Sequence, residues 1–335
     1  MKKENKKDVQ GVLWSFGSVI SAAAASAAGW ILYSRKYIRH DMEIEKAIDA
    51  EIKDYQSEEA GRLSYYVSPN KRGTPLLLIH SINATSSAFE MQPIFEHFQG
   101  QRPVYALDLP GFGFSDRSNR VYSPLMYQNA ITSFIKNVIG QPTNVIALSL
   151  SCEFAALSAV HDPENIRSLA MISPTGFQPP KGGSFTEHAQ KRGVKNFVYS
   201  GLAIELWNRP FYDLISSRPT IQFFLNKNFE GLVPERFVDY AYQTSHQPGA
   251  QHAPTYFISG KLNTPAIRET VYQALTQPVL VLYDRDPATN FEMLPIFLHE
   301  RENWKAVRVY PTKGLPHWDE PAKTFRALDD FWSEQ

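Results

Sequence analysis

Ser149 stands in the run NVIALSLSCEFAA, after what reads as a strand ending at Ala147-Leu148 and before a helix starting near Leu150. A serine on so sharp a strand-to-helix turn exposes its hydroxyl. The backbone N–H groups of the helix start then face a developing oxyanion, an arrangement suited to covalent acyl transfer. Strand and helix almost touch at such a turn, so the positions two before and two after the serine must be small. Ala147 and Ser151 meet that demand, although neither is glycine. The alternative is that Ser149 simply caps a helix. Cys152 follows on the first turn of a packed helix, where it reads as a small buried hydrophobe rather than a nucleophile. His246 and His252 in SHQPGAQHAP have metal-ligand chemistry, but no further ligand cluster has matching spacing. That segment reads as a polar loop, and no metal or cofactor is expected.

These groups need a scaffold, and from Leu63 the sequence alternates strands with helical segments. LSYYVS, PLLLIHS, PVYALD, NVIALS, SLAMISP, PVLVLYD and AVRVYP read as strands. SSAFEMQPIFEHF, PLMYQNAITSFIKNVIG, CEFAALSAVH, a segment around NFEMLPIFLHERE and AKTFRALDDFWSEQ read as helices. That rhythm is the signature of an α/β domain with a mostly parallel sheet covered on both faces. Between Pro174 and Ala266 the alternation stops in a helical, aromatic segment too long for a loop of a compact domain. The expected organisation is therefore a core over 63–173 and 267–335, interrupted by a helical cap over 174–266. Trp318 and the cap aromatics either line an apolar substrate cavity or form the cap's own core.

The 335 residues are 43% hydrophobic, enough for a sizeable core, and Lys+Arg and Asp+Glu both number 34. Zero formal charge leaves no basic field to gather nucleic acid, which is excluded as a partner. A single cysteine excludes an intramolecular disulfide. Residues 1–40 depart from this composition: Gly11–Tyr33 carries no charge over 23 residues and has lysines before it and Arg35, Lys36 and Arg39 after it. That length predicts a retained single-pass membrane anchor. A cleaved signal peptide is the rival, disfavoured because the apolar run continues through Trp30, Ile31 and Leu32. Gly17, Ser21, Ala25 and Gly29 fall on one helix stripe, where another anchor helix could approach and self-associate, or where the spacing is chance. Residues 41–62, with Ile44, Ile48, Ile52 and Tyr55 at helical spacing among charges, predict a charged helical stalk.

In chain order come His80-Ser81-Ile82 after a strand, the loop DLPGFGFSD, the Ser149 elbow, LYDRDP and GLPHWDEP. In this order the sequence resembles the α/β-hydrolase fold family over nearly all of Leu63 to Trp332. The resemblance implies oxyanion donors at the Ile82 and Leu150 N–H groups, with His80 on the oxyanion loop near substrate. It also implies an acid after the seventh strand at Asp286, with Asp284 as substitute. Its base ordinarily follows a glycine in the pattern G-H-x-P-x-x-E-x-P. Counting back from Pro321 places Asp319 and Pro316 on that pattern and Gly314 on the histidine's position. Two readings follow. His317 swings in to complete Ser149–His317–Asp286, or the base is absent and the fold binds a ligand or serves as a scaffold. The first implies hydrolysis of a small apolar ester, and a serine at the elbow disfavours the aspartate-nucleophile branches of the family.

Overall fold

The structure, a computed structural model, describes residues 25–179 and 185–334. Eight strands form one sheet: β1 (Glu51–Ser57), β2 (Gly61–Val67), β3 (Leu76–Ile79), β4 (Val104–Leu107), β5 (Thr143–Leu148), β6 (Ile166–Ile172), β7 (Val279–Tyr283) and β8 (Trp304–Arg308). Their order is β1-β2-β4-β3-β5-β6-β7-β8, parallel from β4 onward and antiparallel at the β1–β2–β4 edge. Period two in the strands divides the core. Leu77, Ile79, Val145, Ala147, Leu169 and Met171 face one helical layer, while Leu76, Leu78, Ile146, Leu148, Ala170 and Ile172 face the other. Strands buried on both faces become continuous apolar runs, which is why PLLLIHS and NVIALS carry so few polar residues.

The helices are α1 (25–37), α2 (Gln92–Phe98), α3 (Pro124–Phe134) and α4 (Ser151–His161). Between β6 and β7 come α5 (Phe185–Leu202), α6 (Asn208–Ile215), α7 (Arg218–Asn228), α8 (Glu235–Ser245), α9 (His252–Ile258) and α10 (Ile267–Thr270). The chain closes with α11 (Leu294–His299), α12 (Pro316–Asp319) and α13 (Pro321–Ser333). The Arg117 guanidinium ties the DLPGFGFSD loop to this helical insertion, donating to Gly113 O, to Thr244 O at 2.7 Å and to Thr244 Oγ1 at 2.9 Å.

Two N-terminal expectations are corrected. No helix among the described residues is long and apolar enough to cross a membrane, which overturns the single-pass anchor and its membrane location. Most of the apolar run, with Gly17 and Ser21, lies outside the described residues. Its end belongs to α1, which docks on α6: Trp30 Nε1 donates to Pro210 O at 2.7 Å, and Ser34 Oγ donates to the buried Asp213 carboxylate at 2.5 Å. The stalk is not helical either. Residues 51–57 pair with β2 in register, Ile52 opposite Tyr66 and Asp54 opposite Ser64. An open sheet edge offers a full ladder of backbone partners, which outweighs the modest helical preference of a charged segment. Ala47 and Ile48 are buried against the domain, and the Ala47 N–H donates to Tyr66 Oη at 2.9 Å.

Candidate active site

The turn from β5 to α4 places Ser149 at φ 57°. A side chain held in the left-handed region costs about 1–3 kcal/mol, a strain that surrounding structure must sustain. It does so here through the Ser149 N–H, which donates to Ile172 O at 2.8 Å, and through the Ser149 carbonyl, which accepts from Cys152 N–H at 3.1 Å. Ala147 and Ser151 are fully buried where strand and helix meet, as the small-residue requirement predicts. Among the described residues no hydrogen bond engages the Ser149 Oγ, and neither the Leu150 nor the Ile82 N–H goes to a backbone acceptor. Cys152 donates its Sγ–H to Ala147 O at 3.2 Å, and burial pushes its thiol well above the ordinary range, so it carries no thiolate.

The loop after β3 is held from two sides. His80 Nδ1 donates to Ser81 O at 2.6 Å, and its Nε2 accepts from Leu109 N–H at 2.9 Å. With both nitrogens engaged and burial lowering its pKa to about 3, His80 is a neutral staple between two loops, not a free substrate ligand. Glu90 holds the other side from the 3-10 turn Ala88–Met91. Its Oε2 accepts from Ser81 N–H at 2.7 Å, and its Oε1 accepts from Ser81 Oγ and Asn83 Nδ2, each at 3.0 Å. Burial raises this carboxyl to about 7, an effect the hydrogen bonds from Ser81, Asn83 and Ser86 oppose. Sequence reasoning missed Glu90. The available signal was a lone acid inside the apolar run AFEMQPIF.

The two carboxylates after β7 separate cleanly. Asp284 is 6% exposed, accepting from Arg308 Nε at 2.7 Å and from Thr312 N–H at 2.9 Å, so it braces the loop leading to Gly314. Asp286 accepts from the Ala288 and Thr289 N–H groups at 2.7 and 3.0 Å, both through Oδ1. Its Oδ2 faces Gly314: a Cβ placed there would lie 3.1 Å from Asp286 Oδ2 and 2.8 Å from Oδ1 of Asn228, the last residue of α7. Burial raises the Asp286 pKa, against its two backbone hydrogen bonds.

His317 is elsewhere. It is fully buried, its Nε2 donates to Glu90 O at 2.7 Å, and its Nδ1 has no partner. Burial lowers its pKa to about 4, so the imidazole is neutral. No hydrogen bond among the described residues joins it to Ser149 or Asp286. The three expected triad members are therefore not brought together in this conformation. The cause is geometric: α12 aims His317 inward at the turn that carries Glu90. Trp318 donates its Nε1–H to the same Glu90 O at 2.8 Å and stacks on Phe89 at 5.6 Å. Its indole is part of the packing between α12 and the insertion, with Phe237 5.2 Å away, rather than a bare substrate contact.

This order of strands, elbow, acid loop and closing helix is matched by a family profile described as alpha/beta hydrolase family, over residues 76–327. The chain belongs to the alpha/beta hydrolase family. Among curated proteins this alpha/beta hydrolase is similar to "Probable lysophospholipase BODYGUARD 1" of Arabidopsis thaliana. The two are 28% identical over 167 residues, which is 48% of this chain and 34% of the relative. The chain thus spans only 34% and 27% of the length of the two curated relatives it matches. Among solved structures it superposes on a membrane phospholipase A described as a bacterial virulence factor, at TM-score 0.64 and 18% identity, covering 98% of each chain. A serine hydrolase involved in carbazole degradation gives TM-score 0.65 at 14% identity, covering 85% of this chain and 100% of that one. At such identities the likeness establishes the fold.

Proposed function

We propose that this alpha/beta hydrolase cleaves carboxylic esters of apolar acyl groups, with Ser149 as the nucleophile and the Ile82 and Leu150 N–H groups as oxyanion donors. The observation that carries this reading is the φ of 57° at Ser149, a strained position that presents an unengaged hydroxyl at the head of α4. Ser149 Oγ attacks the acyl carbon and the alcohol leaves with a proton; water then releases the acid and regenerates the serine. An apolar acyl substrate is supported by likeness to proteins named as lysophospholipase and phospholipase A. With glycine beside Asp286, turnover is expected to be slow, because oxyanion donors and binding alone retain about 10³–10⁴-fold over water when a triad member is missing.

A second reading rests on Gly314 itself. With no side chain at position 314 and Asn228 Oδ1 2.8 Å from where its Cβ would stand, the fold would bind acyl ligands without turning them over. Labelling with an alkyl fluorophosphonate separates the two. Wild type labelled and Ser149→Ala unlabelled, with matching release of p-nitrophenol from medium-chain esters, supports the hydrolase. An unlabelled, inert wild type that still binds fatty acyl chains supports the binder.

A further inference from the structure

Glu90 connects two features of the site that the sequence treats as unrelated. Through its side chain it grips the loop that carries Ile82, at the Ser81 N–H, the Ser81 hydroxyl and the Asn83 amide. Through its carbonyl it accepts from His317 Nε2 and Trp318 Nε1, at 2.7 and 2.8 Å. The residue is 5% exposed and rides on a turn of four residues that leads into α2, its N–H donating to Ser87 O at 3.1 Å. Asn83 extends the network: its Nδ2 also donates to Ser81 Oγ at 2.9 Å, and its Oδ1 accepts from Thr85 N–H at 2.7 Å. Ser81 and the Asn83 side chain, on either side of Ile82, are thereby engaged, while among the described residues the Ile82 N–H has no backbone acceptor.

We infer that Glu90 is a positioning residue for the oxyanion loop, and that His317 acts on the reaction through Glu90 rather than as its base. The inference rests on the reading of Ser149 as nucleophile and Ile82 as oxyanion donor. A carboxylate gripping Ser81 N–H and Oγ together sets the orientation of the peptide preceding Ile82. A shift of about 1 Å in such a donor costs on the order of 100-fold in rate. Glutamine at position 317 keeps an N–H donor where the imidazole Nε2 stands but cannot accept a proton from Ser149. Glutamine at position 90 keeps an acceptor for the Ser81 N–H.

The test uses the full chain, an alkyl fluorophosphonate and hydrogen–deuterium exchange of the Ser81 amide. Glu90→Ala should cut the limiting labelling rate about 100-fold with little change in the inhibitor's half-saturating concentration, and should speed Ser81 exchange. His317→Gln should stay close to wild type in both readouts, and Glu90→Gln, which keeps one acceptor oxygen but sets an amide donor against the others, should fall between Glu90→Ala and wild type. A His317→Gln protein that loses labelling while Ser81 stays protected would restore His317 as the base and overturn the inference. Glu90→Ala labelled at the wild-type rate would overturn it as well. If Glu90→Ala does not fold, His317→Gln alone decides by the same two readouts. A wild type that does not label at all removes the Ser149 reading, and Ser81 exchange in the Glu90 and His317 variants then decides whether the grip exists.

Discussion

Gly314 and Asp286 face one another across the space an imidazole would bridge, with a Cβ at the glycine falling 3.1 Å from the carboxylate Oδ2 and 2.8 Å from Asn228 Oδ1. The carboxylate proposed as the acid thus lies beside a glycine, and a residue from the helical insertion leans into the gap.

Installing the base should need two substitutions. Gly314→His alone is expected to lose about 1–3 kcal/mol in denaturant unfolding, because the new side chain meets Asn228. Gly314→His with Asn228→Ala should recover that stability and raise ester turnover by about 100-fold or more over wild type. Turnover unchanged in a folded double variant would show that Asp286 does not hold the acid's position.

Relief of strain at the elbow should be measurable as stability. Ser149→Gly removes a side chain from φ 57° and is expected to gain about 1 kcal/mol in chemical denaturation while abolishing phosphonate labelling. A loss of stability would mean the serine side chain contributes more than its conformation costs.

Glu90 and the buried histidines should give opposite pH signatures. The Glu90 pKa is raised to about 7 in the folded protein, above its unfolded value, so its contribution is fully present at acid pH and is lost as pH rises through 7. At about 1.4 kcal/mol per pH unit the effect is on the order of 3 kcal/mol. His317, lowered to about 4, and His80, lowered to about 3, work the other way, since unfolding lets them protonate and stability falls as pH drops below about 6.5. The groups that reach the Glu90 carboxyl are the neutral Ser81, Asn83 and Ser86, while its carbonyl accepts from the neutral His317 imidazole and the Trp318 indole. The stability difference between wild type and Glu90→Gln should therefore shift against wild type between pH 5 and pH 8, read as denaturant midpoints. A difference independent of pH would place the Glu90 ionisation outside this window.

Asp284 and Asp286 should diverge on substitution. Asp284→Asn weakens the links to Arg308 and the Thr312 N–H in a buried setting and is expected to cost about 2–3 kcal/mol. Asp286→Asn removes a carboxylate that burial already disfavours, so it should be near neutral for unfolding. Equal losses in thermal melts would contradict the division of labour between bracing and facing the site.

Much of the core was legible because its signals are local. The elbow follows from small residues around Ser149, and the sheet from apolar runs punctuated by helices. The edge strand β1 was not legible: Ile48, Ile52 and Tyr55 fit a helical period, and only the open edge of β2 decides for a strand. The end of the N-terminal apolar run misled for a related reason, since its Trp30 and the Ser34 that follows it find their partners 180 and 179 residues away on α6. At the site, counting residues put a glycine where the family pattern has its histidine, and the structure sets that glycine beside Asp286. Counting could not show that His317 turns toward Glu90, because that depends on the direction in which α12 leaves the loop. Glu90 itself has no motif; its role exists only once β3, the 3-10 turn and α12 meet.

The contact between Asn228 and Gly314 also bears on how such a site changes over generations. As long as Asn228 occupies the gap, a histidine introduced at position 314 meets that amide before it can confer any catalytic advantage. In directed evolution toward ester turnover the two positions would therefore be coupled, so that the route to a complete triad runs through a second site on another element of the fold.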